Sequence, residues 1–388
     1  MDKKLAIVIS HPIQYYSPLF QKLAKSCTLN VFYTLGNIDQ SFDIGFQREI
    51  KWDVPLLEDY NHSFVKNTAK KPGYHHFMGI VNPELISEIQ NFGPQAILFY
   101  GWSYYSHFKA MRHFKNKVPI WFRGDSNLID KQSLFRKLAR KFLLRNIYAN
   151  VDKAFYVGTA NKNYFKEFGL KEEQLVFAPH AVDNERFGES HSNEAVALRS
   201  KFGLIPGDIL VLFSGKLEEK KDPALLLNAF LEIDTSNMHL LIVGNGALEE
   251  NLKVESKMNG YHNRIHFLDF QNQSFMPAVY QACDLFCLPS KGPNETWGLA
   301  INEAMAAGRA VLVSNKVGCC QDLVRENYNG AVFESENLLD LKKKLILFDD
   351  LSKLELFGKN SLKIIAQWSL DNQVQKIIQN LDKINLDS

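Results

Sequence analysis

Short apolar segments alternate with helical segments along most of the chain. Because strands buried on both faces are apolar along their whole length, this pattern predicts parallel sheets covered by helices on both sides. The predicted strands fall into two series. The first comprises Leu5–Ser10, Leu29–Tyr33, Ala96–Tyr100, Pro119–Arg123, Lys153–Val157 and Leu175–Ala178. The second comprises Ile209–Ser214, His239–Gly244, Ile265–Leu268, Leu285–Pro289 and Ala310–Val313.

Two series of strands predict two doubly wound, Rossmann-like α/β domains. The length of 388 residues agrees, since it exceeds what one hydrophobic core usually serves. A polar stretch without periodicity, residues 179–193, indicates the junction, and after Ala331 the apolar spacing is helical to the end. We therefore predict an N-terminal domain over residues 1–183 and a C-terminal domain over 184–369. A last helix over 370–388 is long enough to cross back to the first domain.

Composition is that of a globular chain, with 46% apolar and 23% charged residues. The apolar stretch Leu5–Ile9 is too short for a signal peptide or a membrane span, so we expect a cytoplasmic location. The five cysteines lack the paired spacing of a zinc site, which predicts free thiols in a reducing compartment.

Positive charge is concentrated in residues 1–150, which hold 20 Lys and Arg against 11 Asp and Glu, whereas the remainder holds 25 against 32. This asymmetry indicates an N-terminal face that meets a phosphate, a lipid head group or a nucleic acid. Residues 131–149 predict a basic amphipathic helix, with Lys137, Lys141 and Arg145 at i, i+4 spacing. Such a helix either lies on an anionic membrane surface or packs on the domain with a solvated basic face.

Two loops of the second series carry candidate ligand-binding residues. The loop after Ile209–Ser214 contains Lys216 and Lys221, which suit opposite oxygens of a diphosphate but also suit a solvated charged loop. The next strand leads into Gly244-Asn245-Gly246, which indicates either a close backbone approach or a simple tight turn. Both loops leave carboxyl ends of strands in one predicted sheet, so a common ligand explains them together.

A third stretch at the same edge runs from Leu285 to Val313 and has the order strand, loop, helix and strand. Its helix is predicted to begin near Gly298 and to end at Gly308. Glu295 in the loop and Glu303 in the helix then lie close to a helix N-terminus, whose free N–H groups attract anions. Carboxylates beside an anion site indicate a ligand that carries both phosphate and hydroxyl groups.

These stretches resemble the retaining glycosyltransferases of family four, which have the glycosyltransferase-B fold. The resemblance rests on E-T-W-G-L-A-I-N-E-A-M-A-A-G at 295–308, F-S-G-K-L-E-E-K-K-D-P at 213–223, L-L-I-V-G-N-G at 240–246 and A-P-H-A-V-D-N-E-R-F at 178–187. It implies two doubly wound domains that face a central cleft. It also implies transfer of a sugar from a nucleotide-diphosphate sugar to a hydroxyl of a glycan or lipid-linked acceptor, with retention at the anomeric carbon.

The resemblance further implies roles for individual residues. In the catalytic set, Glu295 accepts hydrogen bonds from the sugar hydroxyls, while Lys216 and Lys221 hold the diphosphate. The remaining residues of the donor site are Glu303 on the ribose, Gly246, Gly298 and Leu299. Two ammonium groups and a helix end can stabilise the leaving diphosphate without a metal, and the sequence contains no Asp-x-Asp. We therefore expect no metal and no cofactor besides the donor substrate.

Polar and aromatic residues after strands of the first series are candidates for the acceptor side, since hydrogen bonding and stacking suit hydroxyl-rich ligands. They are His11, Gln14, Tyr15, Trp102, Arg123 and Asp125. Structural alternatives are a helix cap in the first loop and a mutual ion pair between Arg123 and Asp125.

The sequence thus predicts a glycosyltransferase of polysaccharide or cell-envelope biosynthesis, located in the cytoplasm or at the inner face of the membrane. We expect a nucleotide sugar and a glycan or lipid-linked acceptor as partners, and no nucleic acid. The alternatives are a nucleotide-sugar epimerase or hydrolase on the same fold, which converts donor without acceptor, and a non-catalytic nucleotide-sugar-binding protein.

Overall fold

The computed structural model describes residues 3–37, 42–43, 45–130, 133–233, 235–258 and 263–386. The strands in this part of the chain are β1 Lys4–Ile9, β2 Thr28–Tyr33, β3 Phe42–Asp43, β4 Arg48–Glu49, β5 His62–Phe64, β6 Ala96–Tyr100, β7 Ile120–Arg123, β8 Lys153–Tyr156, β9 Leu175–Phe177, β10 Ile209–Ser214, β11 Met238–Val243, β12 Ile265–Leu268, β13 Leu285–Leu288, β14 Ala310–Ser314 and β15 Gly330–Phe333.

The α-helices of the same residues alternate with these strands. They are α1 Ser17–Ala24, α2 Leu85–Phe92, α3 Tyr105–Phe114, α4 Leu134–Tyr148, α5 Thr159–Glu167, α6 Asn184–Gly188, α7 Ser192–Lys201, α8 Pro223–Leu231, α9 Glu249–Met258, α10 Met276–Ala282, α11 Leu299–Ala306, α12 Cys320–Leu323, α13 Leu338–Ile346, α14 Leu351–Ile365 and α15 Leu370–Leu386. Short 3-10 helices lie at Phe77–Gly79, Glu172–Gln174 and Glu219–Lys221.

The chain divides into two compact units. The first comprises Met1–Asp39, Pro55–His180 and Leu370–Ser388, and the second comprises Gln40–Val54 and Ala181–Ser369. The last helix therefore belongs to the first unit. No pattern in the sequence predicts that residues 40–54 belong to the second unit. The chain on either side of them belongs to the first unit.

The first unit is built on a seven-stranded parallel sheet in the order β5-β2-β1-β6-β7-β8-β9. Successive residues of β1 face opposite sides of this sheet. Ala6 and Val8 pack in a core cluster with residues of α2, α3, α4 and α5, and Leu5 and Ile7 are also fully buried. Helices α1 and α15 pack against each other, and Lys22 Nζ lies 2.8 Å from Asp371 Oδ1.

The second unit is built on a six-stranded parallel sheet in the order β12-β11-β10-β13-β14-β15. Val211 and Phe213 of β10 pack in a core cluster with residues of α8, α13 and α14. The intervening Leu212 is equally buried and faces the other side of the sheet. Both units are thus Rossmann-like, which confirms the predicted fold class.

In each sheet the strand order reverses at one place. The chain runs outward from β1 to β2 and β5 before it returns to β6, and outward from β10 to β11 and β12 before it returns to β13. Ligands of open α/β sheets bind beside the carboxyl ends of strands at such a reversal. The loops after β1 and β6, and those after β10 and β13, therefore have the expected positions of binding loops.

The eleven predicted strands all occur, with ends that differ by at most one residue. The sequence pattern missed β5 and β15, each of three or four residues, and the two-residue hairpin of β3 and β4. The expectation of helix alone after Ala331 is wrong at Gly330–Phe333, because this short run pairs with β14 and so is held by its neighbour. All five cysteines are free, as predicted.

Candidate functional site

The loop after β10 and the loop after β11 are in direct backbone contact. The Leu217 N–H donates to the Asn245 carbonyl at 3.0 Å. A Cβ at Gly246 would lie 2.6 Å from the Leu217 oxygen, and one at Gly244 would clash with the Gly215 carbonyl. Both glycines also have positive φ, 153° at Gly246 and 133° at Gly244. Of the two interpretations of this glycine pair, the structure shows the close approach, and the partner is the loop that carries Lys216.

The loop after β10 is also joined to the loop after β13. The Lys291 N–H donates to the Lys220 carbonyl at 2.9 Å, and Lys291 Nζ lies 3.0 Å from Glu219 Oε2. The three predicted binding loops therefore form one continuous edge of the second sheet.

Glu295 and Lys221 form an ion pair within this edge. Lys221 Nζ lies 2.6 Å from Glu295 Oε2, with side chains that are 18% and 7% exposed. The Ser290 hydroxyl donates to the same Oε2 at 3.1 Å, and the Glu295 carbonyl accepts from the Gly318 N–H at 3.2 Å. A carboxylate so far removed from water needs such partners, because burial of an unpaired charge is costly. The structure thus brings two residues of the predicted catalytic set into contact.

Glu303 lies in α11 and is only 3% exposed. Its Oε2 accepts a hydrogen bond from the Tyr280 hydroxyl at 2.7 Å. Helix α11 starts directly after Gly298, whose φ of 93° is left-handed, and Gly308, with φ of 72°, follows its end. The predicted helix is therefore confirmed.

Gly298 also brings the start of α11 close to its neighbours. A Cβ there would lie 2.6 Å from Val317 Cγ1, so a larger residue would push the helix N-terminus away. Beside it the Trp297 indole N–H donates to Asn302 Oδ1 at 2.9 Å and ties the loop to the helix. The predicted Gly298 and Leu299 amides are thus held at a rigid turn, where the N–H groups of a first helical turn lack intrahelical partners.

Lys216 has a partner that no sequence motif signalled. Its Nζ lies 2.8 Å from Asp43 Oδ1 and 3.0 Å from Asp43 Oδ2. Partial burial raises the pKa of Asp43, but hydrogen bonds from Lys216 and from the Phe46 and Gly45 amides outweigh it, so the net pKa is lowered. Asp43 is therefore ionised at neutral pH, and each of the two predicted phosphate-binding lysines faces a carboxylate.

The acceptor-side candidates of the first unit follow β1, β6 and β7, which are adjacent strands. His11 Nδ1 lies 2.9 Å from the Ser10 hydroxyl, and its ring stacks on Tyr74 with centroids 4.9 Å apart. Burial and the neighbouring His75 lower the pKa of His11, so its imidazole is neutral at pH 7. Gln14, Tyr15 and Trp102 are half-buried side chains.

Arg123 ends β7, and Asp125 follows it by two residues. Arg123 is 2% exposed, and its guanidinium donates to the carbonyls of Ala178 at 2.9 Å and Pro179 at 3.1 Å. It thus supports the backbone at the end of β9. Asp125 is half-buried, and with burial its charge raises the pKa of the Tyr16 hydroxyl.

Three aromatic residues, Tyr16, Tyr100 and His180, lie beside these candidates, and of the three only Tyr100 was not predicted near the cleft. The Tyr16 ring lies 4.8 Å from the Tyr100 ring and 6.2 Å from the His180 ring, centroid to centroid. Burial, and then the Arg123 charge, hold the pKa of His180 well below its usual range. Tyr16 and Tyr100 stand at the ends of predicted elements, but nothing in the sequence indicates that they meet His180.

Helix α4 presents apolar side chains to solvent. Phe135, Leu138 and Phe142 are 81%, 67% and 77% exposed, whereas Leu144 and Ile147 are buried in the first unit's core. The basic residues of α4 lie beside this stripe: Lys137 and Lys141 Nζ are 3.5 and 3.0 Å from Glu167 Oε1, and the Arg140 guanidinium lies 5.4 Å from the Tyr164 ring centre. Lys131 lies outside the described residues.

Among the residues that the structure describes, no group of three or more His, Cys, Asp and Glu side chains is placed to hold a metal ion. No helix in the same residues combines the length and the apolar character that crossing a membrane requires.

Comparison with known proteins gives a family for the second unit. Residues 197–363 match the family model described as Glycosyl transferases group 1. D-inositol 3-phosphate glycosyltransferase of Nocardia farcinica is 26% identical over 223 residues, which cover 55% of this chain and 48% of the relative. The chain therefore spans about half the length of this curated relative.

A second relative and a solved structure extend the comparison. The N-acetylgalactosamine-N,N'-diacetylbacillosaminyl-diphospho-undecaprenol 4-alpha-N-acetylgalactosaminyltransferase of Campylobacter jejuni is 27% identical over 237 residues, 60% of each chain. HepE of Anabaena, solved in complex with UDP, superposes with a TM-score of 0.75 at 18% identity and covers 98% of this chain and 100% of its own. The likeness to HepE shows a shared fold.

Replacement of Lys221 by Met leaves the Glu295 carboxylate without its cation in a buried position. We expect the free energy of unfolding to fall by about 3 kcal/mol, measured by equilibrium urea denaturation. Lys220→Met is the matched control, because Lys220 is 39% exposed and should lose no more than about 0.5 kcal/mol. Equal losses in the two variants would show that the ion pair does not stabilise the site.

Proposed function

We propose that the chain transfers a sugar from a nucleotide-diphosphate sugar to a hydroxyl acceptor. The premises are that residues 197–363 match the group 1 glycosyltransferases and that the chain has the glycosyltransferase-B fold. The observation that carries the proposal is the single edge of the second sheet on which Lys216, Lys221, Glu295 and the start of α11 lie together. Ammonium groups and a helix N-terminus suit phosphate, whereas carboxylates suit sugar hydroxyls.

The proposed division of roles follows from these positions. Lys216 and Lys221, with the amides at Gly298 and Leu299, hold the diphosphate as point charges and hydrogen-bond donors. Glu295 accepts hydrogen bonds from the sugar, and Glu303 from the ribose. Gly246 and its neighbours lie beside the nucleotide.

We propose that transfer retains the anomeric configuration and needs no metal. The bond between the anomeric carbon and the diphosphate oxygen breaks, and the acceptor oxygen bonds to the same carbon on the same face of the sugar. The acceptor proton passes to the departing phosphate oxygen. The charge that develops on the diphosphate is stabilised by the two lysines and the α11 N-terminus, so this chain's own groups supply the electrostatic stabilisation.

The first unit is the proposed acceptor side. His11, Gln14 and Tyr15 follow β1, and Trp102 follows β6, so they flank the reversal of the first sheet. The neutral His11 imidazole and these polar side chains suit the hydroxyls of a glycan. The names of the two relatives specify an inositol phosphate and a lipid diphosphate as acceptor chemistry. We infer a glycan or lipid-linked acceptor, within polysaccharide or cell-envelope synthesis.

Purified protein should be stabilised by one of UDP-, GDP- or ADP-sugars, because a ligand that binds the native state raises its melting temperature.

Glu303→Gln should raise the KM for that donor about 10- to 100-fold, since a hydrogen bond to a charged group contributes about 1.5–3 kcal/mol. Glu355→Gln, an exposed carboxylate of α14, is the control and should change nothing. An unaltered KM in Glu303→Gln contradicts the assignment, and donor consumption without acceptor would favour the epimerase or hydrolase.

The product should carry the anomeric configuration of the donor, as read from the proton coupling constants by NMR. Turnover should persist in EDTA, because the lysines and the helix end stabilise the leaving group. An inverted product would refute retention. Activity lost in EDTA and restored by Mg²⁺ or Mn²⁺ would refute metal independence.

We further propose that α4 attaches the protein to the cytoplasmic face of an anionic membrane. Three exposed apolar side chains at i, i+3 and i+7, Phe135, Leu138 and Phe142, form one stripe. The chain between Asp130 and Asp152 contains basic residues and no acidic one, so anionic head groups would complement the helix. A lipid-linked acceptor would be available at that surface.

The full chain should sediment with vesicles of 30% phosphatidylglycerol in phosphatidylcholine and less with phosphatidylcholine alone, because the attraction is partly electrostatic. Phe135→Ser with Phe142→Ser should weaken this binding about a hundredfold or more, since each inserted ring contributes about 1.5–3 kcal/mol. Leu339→Ser, a 65% exposed residue of α13, is the control. If both variants bind as the unmodified chain does, α4 is not the membrane contact.

A further inference from the structure

Asp43 and residues 45–53 pack on the edge of the second sheet that carries Lys216. Both oxygens of the Asp43 carboxylate lie within hydrogen-bond distance of Lys216 Nζ, at 2.8 and 3.0 Å. An ammonium group has three donors and no acceptor, so its natural partners are carboxylate and phosphate oxygens. Asp43 therefore offers Lys216 the same chemistry that a donor phosphate would.

The residues next to Asp43 enclose the rest of the lysine. The Gly45 and Phe46 N–H groups donate to Asp43 Oδ1 at 2.8 and 3.0 Å and hold the carboxylate in place. The Phe46 ring centre lies 5.2 Å from Lys216 Nζ, and a Cβ at Gly45 would clash with the lysine stem. A third of the Lys216 side chain remains exposed. The contact is thus built from several residues rather than from one chance ion pair.

The remainder of the segment is attached to the loops after β11 and β12. Arg48 Nη1 donates to Asn245 Oδ1 at 3.1 Å, and the Phe46 and Phe270 rings lie 4.9 Å apart. Further along, Asn272 Nδ2 donates to the Lys51 carbonyl at 2.6 Å, and the Asp53 carboxylate accepts from the Ser274 N–H at 3.1 Å. These contacts leave the Asp43 end as the part that faces the lysine, and they hold the other end independently of Lys216.

We infer that Asp43 and residues 45–53, here called the donor cover, compete with the donor inside the molecule. Asp43 occupies Lys216 in the position of a donor phosphate, and a bound nucleoside diphosphate displaces it. The inference rests on the proposed function, in which Lys216 holds the diphosphate.

Charge decides the direction of the exchange. Asp43 is ionised at neutral pH and carries one negative charge, whereas a nucleoside diphosphate brings more charge to the same ammonium and to Lys221 and the α11 N-terminus as well. The donor therefore displaces the cover once it binds. Before it binds, only those molecules in which Lys216 has left Asp43 can accept the donor. The apparent affinity is therefore the intrinsic affinity multiplied by the fraction of such molecules.

Asp43→Asn removes the competing charge and keeps the size of the side chain. Isothermal titration of the full chain with UDP, and with inorganic pyrophosphate as a probe without a base, should show binding about fivefold tighter than in the unmodified protein. Glu49→Gln removes an equal charge from an exposed position of the same segment. It should leave both affinities unchanged, which separates the local contact from a general charge effect.

The Lys216→Met variant distinguishes a failure of the donor-cover inference from a failure of the proposed function. It should weaken both ligands, and Asp43→Asn should bring no further gain in its presence. If Lys216→Met weakens binding but Asp43→Asn leaves it equal or weaker, Lys216 holds phosphate and the cover does not compete. If Lys216→Met binds UDP and pyrophosphate as the unmodified protein does, or if neither ligand binds any variant, Lys216 does not hold a diphosphate. In that case both the proposed role of Lys216 and the donor-cover inference are wrong.

Hydrogen exchange gives a second, independent measurement. The Gly45 and Phe46 amides lie in the turn that packs on Lys216, so saturation with UDP should make their exchange faster, because the displaced turn loses this packing and becomes more open to water. Slower exchange would show that the segment stays in place and closes over the nucleotide, which contradicts displacement. Glu49→Gln should show the same acceleration as the unmodified chain.

Discussion

Parallel pairing of β10 with both β11 and β13 is the constraint on which the second unit's site depends. This pairing places the reversal of strand order at β10, and so brings together loops that are far apart in the chain. The loops can approach closely only because glycines stand at 244 and 246, where a side chain would meet the backbone of the Lys216 loop. The loop that carries Lys216 and Lys221 and the loop that carries Glu295 and leads into α11 then meet at one edge of the sheet, although they are far apart in the chain.

Most of the fold could be predicted because its strands are buried on both faces and therefore apolar along their length. The same held for α11, since glycines at 298 and 308 mark its two ends. Short strands such as β5 escaped, because three residues give no periodicity. The sequence did not predict the contacts of Tyr280 with Glu303 and of Asp43 with Lys216. These contacts join residues that are 23 and 173 positions apart, and a local sequence pattern does not indicate contacts over such separations.

Both lysines of the site are paired with carboxylates before any ligand is present. Lys221 faces Glu295, and Lys216 faces Asp43, so the predicted anion site contains no bare ammonium group among these two. Such pairing lowers the cost of holding cations in a partly buried edge. Binding of a diphosphate therefore replaces the carboxylate partners of the lysines instead of filling a site of unpaired positive charge. The charge of the ligand then decides which partner each lysine has.

Neither unit is a continuous piece of chain, because α15 belongs with the first unit and residues 40–54 belong with the second. Ile377 and Leu381 of α15 are fully buried, and the helix packs on α1, near the opposite end of the sequence. During synthesis, the first unit therefore waits for residues that emerge after the whole second unit has left the ribosome. Until that moment the surface of α1 that α15 covers stays open to water, and a nascent chain can associate with other chains through it.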